Sequence, residues 1–583
     1  MTVSAGAVAG LSVCAISFCL IWVWRRLHFY AHEDTPWPYL LLVGGVWLMG
    51  ITALGVLLPI DVATSAFIEE EDAATPLVAL WRTNYWLTSL CCWVINPIAN
   101  SYWISGAFTW KRRLRLAIIS NIKFWLQLLA VLVVALLLVL IKQNFEISKV
   151  TGFVFAAANT YGLFIVVMLL GYGLVELPRE IVEKTNPRRM LDYYYCSASR
   201  AEEQMMDAQA DLMDILDEVD RFTCDGDILL QVYLDQVKAK AKVARDVCLE
   251  ERSMAGQRVR RTSMDSTGGK DALSALEQLH SRLKLTATRA RRSKFQWKSH
   301  LDSTAKLEEK IRVLENQSSL YQRLDAGSME AGGLNSSREL AEPALAEDSS
   351  NAAILRTPKR MKIYYKILQG LAILAVLFTL VVLWNECASS VSSKVSVFAL
   401  MVHYSNSLFT RWLCCILPLS YLTSCVYVGL FKFKRLDKLT LSGHRQTDVT
   451  NLLANASYLG RIQFSLGVNY TTQLMTDDRH ALAFYSVIGE MNVVPILGDS
   501  YIFFLPLLIL LLAVCTYFRV LDRLLNMIGV ETHNEPGDSE GGYNQEMVQQ
   551  GKQLISRYRT RLERRRGRDA EIAEERSFSL REF

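Results

Sequence analysis

The chain has 583 residues, of which 51% are hydrophobic and 21% charged, with a formal net charge of +5. Mean hydropathy is positive (+0.18), and the apolar residues come in blocks, as is typical of polytopic membrane proteins. The small net charge predicts no nucleic-acid partner, and eight of the 12 cysteines lie inside apolar segments, which argues against a disulfide-stapled ectodomain.

Nine apolar segments predict an all-α bundle of about nine membrane-spanning helices, because each would cross much or all of a hydrocarbon core of ~30 Å. They run over 7–24, 38–60, 84–104, 117–141, 151–181, 367–383, 412–431, 449–474 and 501–520. The first ends at Arg25 and Arg26, and no basic residue precedes it, so it differs from a signal peptide. The eighth is the least hydrophobic, which leaves open whether it crosses the whole bilayer.

The distribution of Lys and Arg predicts the orientation of the chain. Loops 25–37, 105–119 and 432–448 hold 11 of them, against 3 in the alternate loops 60–81, 143–151, 386–405 and 473–500. Because cytoplasmic loops carry an excess of Lys and Arg, the N-terminus is predicted outside and the C-terminus in the cytosol. Counting the border residues Arg82, Lys142 and Arg411 with the outer loops raises their total only to 6.

The fifth segment, 151–181, joins the first membrane block (1–181) to the long polar region (182–361). Ala158 and Gly162 have the small-xxx-small spacing that lets a neighbouring backbone approach closely. Asn159 brings an amide into the bilayer, where it must find its hydrogen bonds within the protein. A second membrane block is predicted over 362–530 and a basic, then acidic, cytosolic tail over 531–583, either a solvated helix or a surface held to anionic lipid.

The polar region is predicted to be a helical, coiled-coil-like cytosolic loop. One heptad seam consists of Met205, Ala208, Leu212, Ile215, Val219 and Phe222. A second, less regular pattern runs over 271–324 and contains Leu273, Leu276, Leu283, Trp297, Leu301, Leu307, Ile311 and Leu314. Such short seams predict antiparallel helices packed on each other rather than a long rod. Residues 326–351 are rich in Gly, Ser, Glu and Ala and predict a disordered linker.

No catalytic motif, dinucleotide fingerprint or metal-ligand spacing is present, so we expect no enzyme, no cofactor and no metal site. Cys196, Cys224 and Cys248 lie in the predicted cytosolic region, where reduced thiols are expected.

Polar residues inside predicted spans are the candidate site residues, because such groups are costly in lipid. Arg461, followed by Gln463, would line a polar pathway or pair with a carboxylate; alternatively, this weak span bends or lies partly in water. Asn96 and Pro97 would mark a broken helix around a cavity, as in transporters, or a kink sealed by neighbouring side chains. Asn159 completes the set.

Three features outside the spans allow further interpretations. In the HRQTD motif (444–448), Thr447 or Asp448 would cap the eighth helix, and a proton-linked role for His444 is the alternative. Ser263 and Ser293 each follow basic residues and are candidate phosphorylation sites, where added charge would loosen the loop from anionic lipid.

Nine stretches of the sequence together carry a family resemblance: LLPIDVA (57–63), LWRTNYW (80–86), NPIANSYWISGAF (96–108), AAANTYGLF (156–164), GYGLVELPR (171–179), RRSKFQW (291–297), LWNEC (383–387), HRQTD (444–448) and AFYSVIGEMNVVPILGDSYIFFLPLLILLL (483–512). In these stretches the sequence resembles the limb-region (LMBR-like) family of membrane proteins, which includes lipocalin-interacting receptors, and within it the LMBR-domain-containing type-two branch. The stretches sample almost the whole chain in order. The first outer loop departs from the family pattern, since it is short, acidic and free of cysteine.

The resemblance implies nine spans, an outside N-terminus, a coiled-coil cytosolic loop, and receptor-like or adaptor roles in endocytosis or in signalling, including that of G-protein-coupled receptors. We therefore expect a membrane adaptor in the plasma or endolysosomal membrane that binds cytosolic or receptor partners through residues 186–360. The alternative is a transporter or transporter accessory, since one branch of the family assists lysosomal cobalamin export. The oligomeric state does not follow from the sequence.

Overall fold

The structure is a computed structural model that describes residues 5–65, 74–142, 150–223, 228–248, 270–330, 349–389, 395–405, 407–432, 441–474, 482–488, 499–520 and 545–579. These residues are almost entirely helical, and the only β-type pairing among them is a single bridge between Ala31 and Thr447. The predicted all-α fold is confirmed.

Two sets of helices make up the described part of the chain. The bundle consists of α1 (Ala5–Tyr30), α2 (Trp37–Thr52), α3 (Leu58–Thr64), α4 (Ala74–Leu90), α5 (Asn96–Ile104), α6 (Trp110–Lys142), α7 (Val150–Thr185), α11 (Ser349–Ser389), α12 (Val397–His403), α13 (Leu408–Lys432), α14 (Val449–Leu474), α15 (Ala483–Ile488) and α16 (Asp499–Tyr517). The second set, here called the platform, consists of α8 (Pro187–Arg221), α9 (Ile228–Cys248), α10 (Lys270–Glu330) and α17 (Gln545–Ser579).

Two π-helical turns shape the bundle helices. Residues Ala53–Leu57 join α2 to α3, and Cys91–Ile95 join α4 to α5. Pro59 and Pro97 stand in the first turn after each. Proline has no N–H to donate to the preceding turn, and a π-turn is one way for a helix to continue across such a site. The Asn96-Pro97 interruption is therefore a bulge within a continuing helix.

Helix α7 lies at the centre of the bundle and packs against α11, α13, α14 and α16. Gly162 permits one of these contacts, because a Cβ atom there would overlap Ser465 Oγ of α14. The apolar core around α7 includes Leu58, Trp81, Leu163, Val166, Leu170, Leu174, Val382, Phe398, Leu422, Val426, Phe484 and Ile509. Helix α7 ends at Thr185 because Asn186 caps α8, accepting hydrogen bonds from the Arg188 and Arg189 amides, and Pro187 opens that helix.

Five helices in the described residues are long and apolar enough to cross a membrane: Trp37–Thr64, Trp110–Val131, Tyr161–Thr185, Ile363–Ala388 and Phe409–Phe431. A shorter apolar helix covers Phe504–Tyr517. Helices also cover the predicted spans 7–24, 84–104 and 449–474, but they are not among the five. The count of nine spans stays a prediction.

Hydrogen bonds join the loops in two groups, at opposite ends of α14. At its start, the His32 amide donates to the Thr447 carbonyl (3.2 Å), which links the loop after α1 to the loop before α14. At its end, Ser396 Oγ donates to the Gln473 carbonyl (2.8 Å), which links the segment after α11 to α14. This grouping agrees with the division of loops by Lys and Arg content; which end faces the cytosol stays a prediction.

Helices α8 and α10 of the platform run antiparallel, because ion pairs join Arg188 to Glu315 at one end and Glu218 to Arg282 at the other. The predicted seam is confirmed: Met205, Ala208, Leu212, Ile215 and Val219 are buried, and Phe222 is partly buried. The predicted antiparallel packing is confirmed, although one of the two helices, α10, is a single long helix of 61 residues. Of the predicted linker, 326–330 and 349–351 are helical, and 331–348 lie outside the described residues.

The C-terminal helix α17 forms part of the platform. Ile555 is buried with Tyr195, Met205 and Trp297 of α8 and α10, and Arg559 Nη1 pairs with Glu308 Oε2 at 2.6 Å. The sequence indicated a basic helix here but not its packing partner, because the apolar face of α17 is short and interrupted by arginines.

Candidate functional site

Helix α14 carries the polar interior of the bundle. It is buried over most of its length, and its buried polar side chains include Asn451, Asn455, Ser457, Gln463, Ser465, Asn469, Thr471 and Gln473. Its neighbours α2, α5, α7 and α11 shield it. Because these polar groups bond to protein rather than face lipid, the low hydropathy of this segment reflects a central position in the bundle.

Arg461, the strongest candidate from the sequence, is held by the helix that contains α4 and α5. Its Nη2 donates to the Cys92 carbonyl at 2.8 Å, in the π-turn between those helices. Its guanidinium carbon lies 4.0 Å from the centre of the Trp93 ring, a cation–π contact. A π-turn leaves a carbonyl without its usual helical donor, and the guanidinium supplies that donor.

The other candidates occupy successive positions along the same contact. Asn96 Nδ2 donates to Ser457 Oγ (2.9 Å), and Gln463 Nε2 donates to Thr88 Oγ1 (3.3 Å). The Pro97 carbonyl accepts from Asn121 Nδ2 of α6 at 3.3 Å. Among the described residues, Asn96 Oδ1 and Gln463 Oε1 are buried without a hydrogen-bond partner. Helix α14 thus brings Arg461, Gln463 and Asn96 into one strip. Asn159 lies in α7, and its side chain lies outside the described part.

Asp61, in the first turn of α3, is a buried carboxylate that sequence reasoning missed. It is 3% exposed. Its oxygens accept from the backbone N–H groups of Ala483 (3.1 Å) and Phe484 (2.7 Å) and from Trp81 Nε1 (3.1 Å). Asp61 therefore caps α15 and ties three distant segments together. The signal in the sequence was a single carboxylate flanked by the apolar residues Ile60 and Val62.

Glu386, at the same end of the bundle, is a second missed carboxylate. It is 1% exposed, and its Oε1 accepts from Asn469 Nδ2 (3.0 Å) and Gln473 Nε2 (2.6 Å). The adjacent Asn385 Oδ1 accepts from the Val397 amide at 2.8 Å. The LWNEC motif thus binds the start of α12 and the end of α14. Its position in the chain does not indicate that these two segments are its partners.

The platform contacts the other end of the bundle through residues 103–113. These residues and the part of α10 that contacts them are here called the junction. His280 Nδ1 lies 2.7 Å from the Gly106 carbonyl, Ser281 Oγ donates to the Ile104 carbonyl (2.8 Å), and Lys284 Nζ donates to the Trp103 carbonyl (2.5 Å). Arg112 Nε pairs with Glu277 Oε1 at 2.7 Å. A Cβ atom at Gly106 would overlap the α10 backbone, so the two chains lie in direct contact.

His280 is neutral at this contact. Its Nδ1–H faces the Gly106 carbonyl, which leaves Nε2 as the acceptor for Lys240 Nζ at 3.0 Å. The pKa of His280 is lowered from 6.5 to about 4, mainly by burial and also by the charges of Lys240, Lys284 and Arg113, against the hydrogen bond to Gly106, which raises it. Phe108 stacks on the imidazole at 5.3 Å between ring centres.

Acid is expected to weaken the junction through His280. The unfolded chain binds this proton near pH 6.5 and the folded chain only near pH 4, so stability falls as the pH drops through that interval. His280→Asn retains a donor for the Gly106 carbonyl but does not titrate. Its melting temperature should fall less than that of the wild type between pH 7 and pH 4.5, whereas the exposed His403→Asn should behave as wild type. Equal acid sensitivity in all three proteins would contradict this role.

The remaining candidates lie outside these contacts. Ser293 is half-buried on α10, and Ser263 lies outside the described residues. Asp448 Oδ2 accepts from the Thr450 amide (3.3 Å) as the cap of α14, while Thr447 Oγ1 bonds to Ser442. His444 packs against Phe29. The ten cysteines whose side chains the structure describes are free, and among the described residues no cluster of His, Cys, Asp and Glu has the arrangement of a metal site.

An all-helical membrane bundle with a buried polar strip, joined at one end to a platform of polar helices, defines a polytopic membrane protein with a large helical extramembrane region. The family model for "LMBR1-like membrane protein" matches residues 6–521, so the chain belongs to that family. The resemblance predicted from sequence is confirmed.

Curated relatives point to one branch of this family. A Gallus gallus protein named "G-protein coupled receptor-associated protein LMBRD2" is 26% identical over 83% of this chain and 70% of its own length. The Homo sapiens protein of the same name is 25% identical over 85% of this chain and 70% of its own. A Drosophila melanogaster protein named "LMBR1 domain-containing protein 2 homolog" is 24% identical over 83% and 69%. No solved structure matches the chain.

Proposed function

We propose that this protein is a receptor-associated adaptor in which the bundle holds the platform at the cytosolic face of the plasma or endolysosomal membrane. The N-terminus would lie outside, and the platform would bind G-protein-coupled receptors or their cytosolic partners. The names of the relatives, which link them to such receptors, support this function. Neither the family nor the described site residues suggest a catalytic role.

The junction is the observation that carries the proposal. Side chains of α10 form hydrogen bonds there with the backbone carbonyl groups of Trp103, Ile104 and Gly106. These bonds both attach the platform to the bundle and fix its position. A flexible tether would leave the platform free to rotate. A fixed platform presents one surface at a defined height above the bilayer, as an adaptor for a membrane receptor requires.

Unfolding the platform is expected to abolish receptor association while the bundle remains. Leu212 is 0% exposed in the seam between α8 and α10, and truncating a buried leucine to alanine costs about 2–5 kcal/mol. In cells, a split reporter between the C-terminus of this chain and a panel of G-protein-coupled receptors should give a signal with the wild type and lose most of it with Leu212→Ala. Leu507→Ala, at a position 60% exposed on α16, should leave the signal unchanged.

Two results would contradict the proposal. One is a wild-type signal no higher than that with an unrelated polytopic membrane protein at equal expression. The other is a full signal in Leu212→Ala once platform unfolding has been verified by proteolysis.

The alternative is a transporter or transporter accessory, and the buried strip along α14 favours it. Intramembrane polar residues mark solute pathways, and the buried Oδ1 of Asn96 and Oε1 of Gln463 would accept from a passing donor. However, Arg461 is engaged by the Cys92 carbonyl and the Trp93 ring, which closes this part of the strip. Solute flux by the purified chain in proteoliposomes would separate the alternative from the adaptor.

A further inference from the structure

A cavity of about 520 Å³ lies between the platform and the bundle. Its walls come from α9 and α10 on one side and, on the other, from residues 32–35, 103–113 and 446–449 of the bundle. The three predicted loops that are richest in Lys and Arg thus all contribute residues to the lining of this cavity. Its volume is within the range of about 300–1,000 Å³ that small-molecule sites have.

The lining of this cavity is strongly cationic. Five side chains carry a positive charge: Arg113, Lys240, Lys284, Arg291 and Arg292. The lining carboxylates are Asp34, whose side chain is 85% exposed, and Asp448, which is engaged in capping α14. The charge on the walls therefore exceeds what the carboxylates neutralise.

Four of these five cations contact neutral groups instead of carboxylates. Lys240 Nζ lies 3.0 Å from His280 Nε2, Arg113 Nε donates to the Ala107 carbonyl (2.5 Å), and Arg291 Nη1 lies 3.2 Å from His32 Nε2. Lys284 Nζ donates to the Trp103 carbonyl and lies 3.7 Å from the centre of the Trp103 ring. Within the described residues, these four cations form no ion pair, and Arg291 Nε is buried without a hydrogen-bond partner.

Burial and the neighbouring positive charges destabilise the protonated form of the two lysines. The pKa of Lys284 is lowered to about 8, mainly by burial and also by the charges of Arg113 and Lys240, although Asp448 raises it. Burial and the charge of Arg113 also lower the pKa of Lys240. Cations that repel each other around one cavity are stabilised when an anion enters.

We propose that this cavity binds a phosphate-bearing anion, and that its source is the headgroup of a phosphorylated membrane lipid. Arginine forks match phosphate oxygens in pairs and lysine supplies a point charge, so several cations around one cavity suit a group with more than one negative charge. Basic pockets between membrane helices on the cytoplasmic side accept such headgroups.

The position of the cavity along the membrane normal favours a lipid headgroup over a soluble phosphate as the ligand. The candidate spans Trp37–Thr64 and Trp110–Val131 both begin beside it, and their first residues, Trp37 and Trp110, are 71% and 64% exposed. Exposed tryptophans at the ends of spans mark the level of the lipid headgroups. A headgroup at this height would contact both walls and thereby bind the platform to the bundle.

The test uses the full chain in neutral detergent with four probes: dioctanoyl phosphatidylinositol 4,5-bisphosphate, dioctanoyl phosphatidylcholine, inositol 1,4,5-trisphosphate and inorganic phosphate. Binding is measured by native mass spectrometry and by the shift in melting temperature. We expect the phosphorylated lipid to bind and to raise the melting temperature, and phosphatidylcholine to do neither. The double variant Lys240→Gln/Lys284→Gln should bind roughly 25-fold more weakly, since each cation near a membrane surface contributes roughly fivefold.

A matched control removes the same charges from the same two helices outside the cavity. Lys242 on α9 and Lys298 on α10 are both exposed, so Lys242→Gln/Lys298→Gln should bind as wild type. If the double cavity variant does not purify, Lys240→Gln and Lys284→Gln are tested singly, each with roughly fivefold weaker binding expected.

The outcomes separate the two sources. Binding of the lipid with much weaker binding of inositol trisphosphate supports a headgroup, and comparable binding of both supports the phosphate site but with a soluble ligand. Absence of binding by every phosphorylated probe overturns the proposal. Equal loss of binding in the cavity variant and the control overturns it as well, because the attraction would then be a property of the whole surface. Receptor association is not required for any of these results.

Discussion

Replacing Asp61 by alanine is expected to lower the free energy of unfolding by about 3–5 kcal/mol, because it leaves three buried donors without an acceptor. The donors are the Ala483 and Phe484 amides and the Trp81 indole. Trp81 lies 20 residues from Asp61 along the chain, whereas Ala483 and Phe484 lie 422 and 423 residues from it. Each buried unsatisfied donor costs about 1–3 kcal/mol. Part of that cost returns if water reaches the site, which keeps the expected total below the simple sum.

A graded series tests this role of Asp61. Asp61→Asn retains one acceptor oxygen but turns an NH₂ group toward the remaining donor, so it should lose about half as much stability as Asp61→Ala. Asp217→Ala removes an exposed carboxylate from α8 and should leave the melting temperature unchanged. The measurement is the melting temperature of the purified chain. If Asp61→Ala melts within error of the wild type, the cap contributes no net stability.

Local signals in the sequence were enough to predict α14 and to narrow its cap to Thr447 or Asp448. The segment predicted over 449–474 coincides with the helix Val449–Leu474, because Asp448 supplies a start signal that depends only on its immediate neighbours. The same is true of the heptad seam of α8, since a repeat of three and four residues defines a helix face without any knowledge of the partner. The partner itself, α10, followed from the second apolar pattern.

The buried carboxylates could not be predicted in the same way. Asp61 directly follows the predicted span 38–60, at the start of the acidic first outer loop, where a solvated side chain is the normal expectation. Its partners at 483–484 are separated from it by helices α8 to α10 of the platform and most of the second membrane block. Glu386 likewise bonds to Asn469 and Gln473, which lie beyond two further helices. Only the tertiary arrangement brings these groups together.

The strip around Arg461 was predicted in part. The sequence indicated a costly cation in a weak span, and it indicated Asn96 and Pro97 as an interruption. It did not indicate that a π-turn at Cys91–Ile95 would present the Cys92 carbonyl to that cation, because a π-turn depends on how the helix packs against its neighbour. Two features interpreted separately in the sequence are therefore one contact in the structure.

Replacing Gly106 by valine is expected to open the junction between platform and bundle. A Cβ atom there would overlap the Glu277 carbonyl and lie 2.7 Å from the Ser281 amide nitrogen, both backbone atoms of α10 that cannot rotate away. Overpacking of this kind costs about 1–3 kcal/mol on its own. The hydrogen bonds of His280, Ser281 and Lys284 to the same loop would be lost with it, which raises the expected cost to about 3–5 kcal/mol.

Hydrogen exchange distinguishes an opened junction from general unfolding. In Gly106→Val, amides at 103–108 and 277–284 should exchange faster, while those in α14 retain their protection. Gly106→Ala should show the same pattern more weakly, because it adds one methyl group. Gly45→Val is the control, since a Cβ atom at that glycine meets nothing within 4 Å. Unchanged exchange at 277–284 in Gly106→Val would mean that α10 is held by contacts other than the junction, and the adaptor function would then lose its main structural support.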